Sequence, residues 1–181
     1  MEVQFRRSGT RRYSVTVLRP GLPDVTNDPA GGFDERMPHD LIHFVVEREL
    51  GLQCGIFGQV AAGGTAGSFF PVVSQTLTVR EAARRRRALS KRSGKLMQAG
   101  RRDTAVSEAA TYLVHGAWQA RRTDMVAKPH HADPTAATRS GFISALQLTR
   151  IFDQLDALST RWSALEIGES MTVNWPSRGR G

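Results

Sequence analysis

Apolar and polar positions divide this chain into short alternating runs at its two ends and helical periods between them. Val3 and Phe5 alternate with polar neighbours, Ser8-Gly9 supplies a turn, and Tyr13, Val15 and Val17 alternate again, which predicts a hairpin over residues 1–19. Residues 20–37 are rich in Pro, Gly, Asp and Asn without periodicity, so they read as a loop. A helix is expected from Pro38, which loses nothing by lacking an N–H in a first turn, to Leu50, with Gly51 as its stop and Leu41, Phe44, Val45 and Leu52 as its buried side. Residues 55–64 read as a short apolar turn or helix ending in glycines, and residues 69–73 as a short extended piece.

Residues 78–97 are helical but narrowly amphipathic, with Ala82, Leu89 and Leu96 at seven-residue spacing. A further helix is expected over 104–120, burying Ala105, Ala109, Leu113 and Ala117. Residues 128–134 read as a loop between two prolines. The strongest helical period is the last, where Phe142, Leu146, Ile151, Leu155, Leu158, Trp162 and Leu165 recur at three-to-five spacing. Met171, Val173 and Trp175 then alternate as a strand able to join the N-terminal hairpin. Trp118, Trp162 and Trp175 are expected in the core. The fold class that follows is α+β: one domain, with a small three-stranded antiparallel sheet made from both termini and packed against about four helices at 38–50, 78–99, 104–120 and 140–166.

With 181 residues, 40% hydrophobic and 23% charged, the chain has the composition of a folded domain. Cys54 is the only cysteine, so no internal disulfide forms, and the first residues carry no apolar signal core. No apolar run reaches the roughly 18–20 residues that span a bilayer. The expected location is cytoplasmic. Formal net charge is +8, unevenly distributed. Residues 80–102 hold ten Arg or Lys against Glu81 alone, residues 1–19 carry +4, residues 20–79 carry −5, and the remainder balances. A near-neutral body thus bears one basic helix over 78–102.

Two constellations could carry chemistry. His39 and His43 are four apart, so on a helix they share a face and can share a divalent metal such as zinc. Glu47 lies a further turn along, about 12 Å from position 39 at 1.5 Å rise per residue, too far to share one ion with both. It is therefore expected, with Asp40, to orient a ligand or accept a proton, as the catalytic pair of a hydrolytic site. The third metal ligand must come from elsewhere: His115 is the first candidate, with Glu108, His130, His131 and Asp133 as others. The plainer alternative makes His39 a surface residue at a helix start and Asp40 a partner of the helix dipole.

The stretch His39-Asp40-Leu41-Ile42-His43 resembles the zinc motif of the ubiquinone-biosynthesis scaffold family, in which His-Asp-x-x-His is followed by a Gly-Glu turn. The nearest counterpart of that turn here is Gly58-Gln59, with Gln in place of Glu and a longer spacer, so the likeness covers residues 39–61 only. It implies a metal ion near a pocket of lipid or quinone size.

The second constellation is the basic helix. Arg84-Arg85-Arg86-Arg87 spans a full helical turn, and Arg84, Arg85, Arg87, Lys91 and Lys95 are the residues expected to meet nucleic acid or an acidic protein partner. No Phe, Tyr or Trp lies between Phe70 and Tyr112, so base stacking is not expected there. The competing expectation is that this charge is neutralised internally by the acids of residues 24–49.

Overall fold

The computed structural model describes residues 1–72, 78–121, 141 and 143–176. The N-terminal hairpin consists of β1 (Glu2–Gly9) and β2 (Arg12–Leu18), paired antiparallel with Val3 opposite Val17 and Phe5 opposite Val15. β3 (Val25–Ala30) follows, then α1 (His39–Leu50), α2 (Ile56–Ala61), β4 (Phe70–Pro71), α3 (Val79–Ala99), α4 (Arg101–Ala120), α5 (Ala145–Ser163) and β5 (Ser170–Asn174). The sheet is antiparallel with order β4-β3-β2-β1-β5, so the C-terminal strand does join the hairpin, with Val3 opposite Val173. The fold is α+β, as the alternation and the helical periods imply.

The sheet has five strands rather than three because residues 20–37 are not all loop and the short extended piece near residue 70 pairs at the sheet edge. Val25 and Ala30 are buried and β3 pairs with β2. Between Asn27 and Ala30, β3 spends three steps where β2 spends two from Tyr13 to Val15. That bulge accommodates Asp28 and Pro29, whose composition hides the strand from a reading based on alternation. β4, opposite Val25 and Thr26, does not extend along this end.

Val3, Phe5, Tyr13, Val15, Val17, Met171 and Val173 are buried, against the exposed Glu2, Arg6 and Thr172 between them, so helices cover one face. α1 is the central element, with Leu41 through Glu47 all buried and contacts to both α4 and α5. An amphipathic stripe is therefore too narrow a description of it. Gly51 ends α1 in the left-handed region at φ 66°, where a side chain would be strained. Phe44 meets Trp175 edge-on at 5.5 Å between ring centroids, and Trp162 meets Tyr13 at 6.0 Å. All three tryptophans are buried.

On α4 the buried face is Ser107, Ala110, Thr111, Val114, Ala117 and Trp118, not the alanine stripe through Ala105, Ala109 and Leu113. The polar pair Ser107 and Thr111 displaces the predicted stripe because it has hydrogen-bonding partners on α1. α5 buries Ile151, Leu155, Leu158 and Trp162 as its period implies, but at its start Leu148 and Phe152 turn inward and Leu146, expected in the stripe, is exposed. The loop expected at 128–134, Phe142, and the candidate ligands His130, His131 and Asp133 lie outside the described residues.

Candidate functional site

The face of α1 that carries His39, His43 and Glu47 packs on α4, and the contact is polar at its centre. The Glu47 carboxylate is fully buried. Its Oε1 accepts the Ile56 N–H at 2.7 Å and the Ser107 hydroxyl at 2.7 Å, and its Oε2 accepts the Phe57 N–H at 2.8 Å. Glu47 thus caps the N-terminus of α2, where amide groups without a helical partner require an acceptor. Gly55 leaves the space it occupies: a Cβ there would stand 2.5 Å from the carboxyl carbon. Burial raises the Glu47 pKa to about 7, against the opposing pull of Ser107 and the α2 amides.

The chain of bonds continues to His43. Its Nδ1 lies 2.9 Å from Ser107 Oγ and 3.2 Å from Thr111 Oγ1, one turn further along α4. With Glu47 ionised, the Ser107 proton goes to the carboxylate, and the Ser107 oxygen accepts from Nδ1–H. The lone pair of the ring is then on Nε2, which faces Glu108 Oε2 at 3.7 Å. Burial, with the neighbouring His39 adding to it, lowers the His43 pKa to about 3, so the ring is neutral near pH 7 and the contact with Glu108 is not an ion pair. His39 is exposed, with its ring centroid 4.7 Å from that of His43. Asp40, half-buried beside them, has Oδ2 2.8 Å from the Tyr13 hydroxyl, which also lies 2.5 Å from the Gly31 carbonyl oxygen. Burial is the main cause that raises the pKa values of both Asp40 and Tyr13.

The fold therefore brings His39, His43, Asp40 and Glu108 to one area and holds Glu47 beneath it. His115, the first candidate for a third ligand, is instead hydrogen-bonded to Gln119 on its own helix at 2.8 Å. Among the described residues, no group of three His, Cys, Asp or Glu is placed to hold one metal ion. Gln59, the counterpart of the resembling family's Glu, directs its amide to the Cys54 carbonyl and Thr104, away from the histidines. Ser107 and Thr111 are hydrogen-bonding partners of this cluster that spacing along α1 does not reveal. Their signal was two hydroxyls four apart on one face of a helix otherwise rich in alanine.

The basic helix is the second candidate site. A capping box at Thr78 and Glu81 starts α3. Of its residues only Ser93 is buried, while Leu89 and Leu96 are half-buried along the C-terminal half. Across Val79–Ala88 only Ala83 is even partly covered. Arg84, Arg85, Arg86, Arg87, Lys91 and Lys95 are all exposed. Among the described residues no ion pair joins α3 to the acids of residues 24–49, and five of those seven acids are engaged elsewhere. Asp24 accepts the Arg19 N–H, Asp34 accepts the amides of Arg36 and Met37, Asp40 meets Tyr13, Glu47 caps α2, and Glu49 meets Arg150 and Gln154.

No helix among the described residues is long and apolar enough to cross a membrane. Comparison with protein families, with curated proteins and with solved structures finds no match to this chain.

Proposed function

We propose that this protein is an interaction module that takes double-stranded nucleic acid on the exposed first turns of α3. The observation that carries this reading is that Arg84–Arg87 stand in solvent on α3 and that, among the described residues, no ion pair with an acid of the body reaches them. Four consecutive arginines direct charge to every side of the helix, which suits a partner with anionic walls on two sides. An α-helix of about 10–12 Å diameter matches the roughly 12 Å width of a duplex major groove flanked by phosphates. The absence of aromatic side chains on α3 favours a duplex over a single strand, whose capture rests on stacking.

The test is fluorescence anisotropy with a labelled duplex of random sequence, titrated between 50 and 200 mM salt. Contact with about four to six phosphates predicts a log–log slope of about −4 to −5 and a loss of two to three orders of magnitude in affinity across that range. No saturable binding at 50 mM salt, or displacement of the duplex by polyglutamate of equal charge, removes the nucleic-acid reading. Displacement by polyglutamate points to an acidic protein.

A second reading rests on His43, whose Ser107 bond leaves Nε2 as a ligand atom facing the Glu108 carboxylate, beside His39. Since no three donors converge among the described residues, this reading requires the exposed His39 and Glu108 side chains to turn onto zinc or another divalent metal beside His43, with Ser107 and Glu47 orienting the ring from behind. Glu108 takes the place first given to His115. Metal content measured by mass spectrometry on untagged protein is expected to be near one ion per chain and to be lost in both His39→Ala and His43→Ala. Metal-free native protein after equilibration with zinc would end this reading.

A further inference from the structure

A cleft of about 740 Å³ opens between α2, α3 and α4. Its size falls in the range of small-molecule sites, and Ile56, Met97 and Ala105 give it apolar walls. Two of its polar residues are hydrogen-bonded neighbours: Gln59 Nε2 donates to Thr104 Oγ1 at 3.1 Å and to the Cys54 carbonyl at 2.9 Å. A carbonyl only accepts, so the Gln59 nitrogen must face Cys54, which fixes the identity of its Oε1. Gln59 is 3% exposed, and among the described residues this Oε1 has no hydrogen-bond partner and is itself closed off from solvent. A buried acceptor without a donor costs about 1–3 kcal/mol, so a ligand N–H that reaches Oε1 when the Gln59 side chain turns toward the cleft recovers that cost.

Thr104 supplies the complement. Its oxygen accepts from Gln59, which leaves its own proton to donate. A ligand satisfying both side chains carries an N–H next to a carbonyl, the lactam or imide edge of a heterocycle. Arg101, three residues before Thr104 on the same face of α4, also lines the cleft and offers a cation for an anionic substituent. We propose that this cleft binds a mononucleotide with an imide or lactam edge, the ring between the apolar walls and the phosphate at Arg101.

The proposal is tested by calorimetry with uridine 5′-monophosphate, its N3-methyl analogue and inorganic phosphate. Gly94 also lines the cleft, and a Cβ there meets nothing within 4 Å, so Gly94→Phe fills the space without displacing backbone. Uridine monophosphate is expected to bind saturably at one site. The N3-methyl analogue, Arg101→Gln and Gly94→Phe should each weaken it at least tenfold, and replacing Arg84–Arg87 by Gln should leave it unchanged. Equal binding of the methylated analogue or of phosphate alone, or loss of binding in the Arg84–Arg87 variant, would place the anion on the basic surface and overturn the proposal. No heat of binding at millimolar nucleotide, with Gly94→Phe folding normally, overturns it as well.

Discussion

Glu47→Ala is expected to lose about 3–5 kcal/mol of folding stability, the cost of leaving several buried donors without an acceptor. The donors are the Ile56 and Phe57 amides and the Ser107 hydroxyl. Glu47→Gln keeps one acceptor oxygen and should lose less. Gly55→Ala should approach the effect of Glu47→Ala, because its Cβ would occupy the position of the carboxylate. Urea denaturation followed by tryptophan fluorescence measures all three, and a loss under 1 kcal/mol for Glu47→Ala would show that the α2 cap contributes little.

The same carboxylate sets a pH dependence. Its folded pKa, about 7, stands above the unfolded value of 4.5, so between these limits the folded state binds more protons than the unfolded state. The stability held by protonated Glu47 is complete below about pH 4.5 and is lost as pH rises to about 7, by about 3 kcal/mol at 1.36 kcal/mol per pKa unit. The wild type should therefore lose stability relative to Glu47→Gln over that window and run parallel to it above. A difference that does not change with pH would place the folded pKa near its unfolded value. When Glu47 is protonated, its O–H can donate a hydrogen bond to the Ser107 oxygen, and the Ser107 hydroxyl then donates to His43 Nδ1. The imidazole proton moves to Nε2, and histidine ¹⁵N shifts across the same window should record that change of tautomer.

Replacing Arg84, Arg85, Arg86 and Arg87 together by Gln is expected to weaken duplex binding by about a thousandfold at 100 mM salt and to flatten the salt slope by three to four units. Folding should not suffer. Gln has nearly the helix propensity of Arg, none of the four side chains is buried, and their like charges repel at neighbouring positions along the helix. Circular dichroism should show unchanged or slightly higher helicity. Duplex affinity within threefold of wild type in a folded variant would move the contact off α3.

The long periods were the legible part of the fold. α1, α3 and α5 begin and end within a few residues of the positions that Pro38, Gly51, the basic run and the Leu155–Trp162 period indicate, because caps and helical periodicity are local properties. The pairing of β5 with β1 was also legible, since both strands alternate cleanly and each needs a neighbour for its backbone. β3 was not. Its Asn, Asp and Pro residues form a bulge, and only the β2 edge beside it makes a strand of that composition favourable.

At the candidate sites the division follows the same physics. His39 and His43 were bound to share a face once α1 formed, and the charge of α3 is a matter of composition alone. Whether that charge was exposed or neutralised depended on where the acids of residues 24–49 point, which only packing decides. Glu47 looked like a catalytic carboxylate while its spacing was considered alone. The tertiary structure placed the start of α2 against it and turned its oxygens to backbone amides, an interaction between residues 47 and 56–57 that no helical period records. Ser107, Gln59 and Thr104 acquired roles for the same reason. A hydroxyl or amide in a sequence has many possible partners, and burial removes the water that would otherwise be one of them, so the surrounding helices determine which bonds are made and which acceptor is left without one.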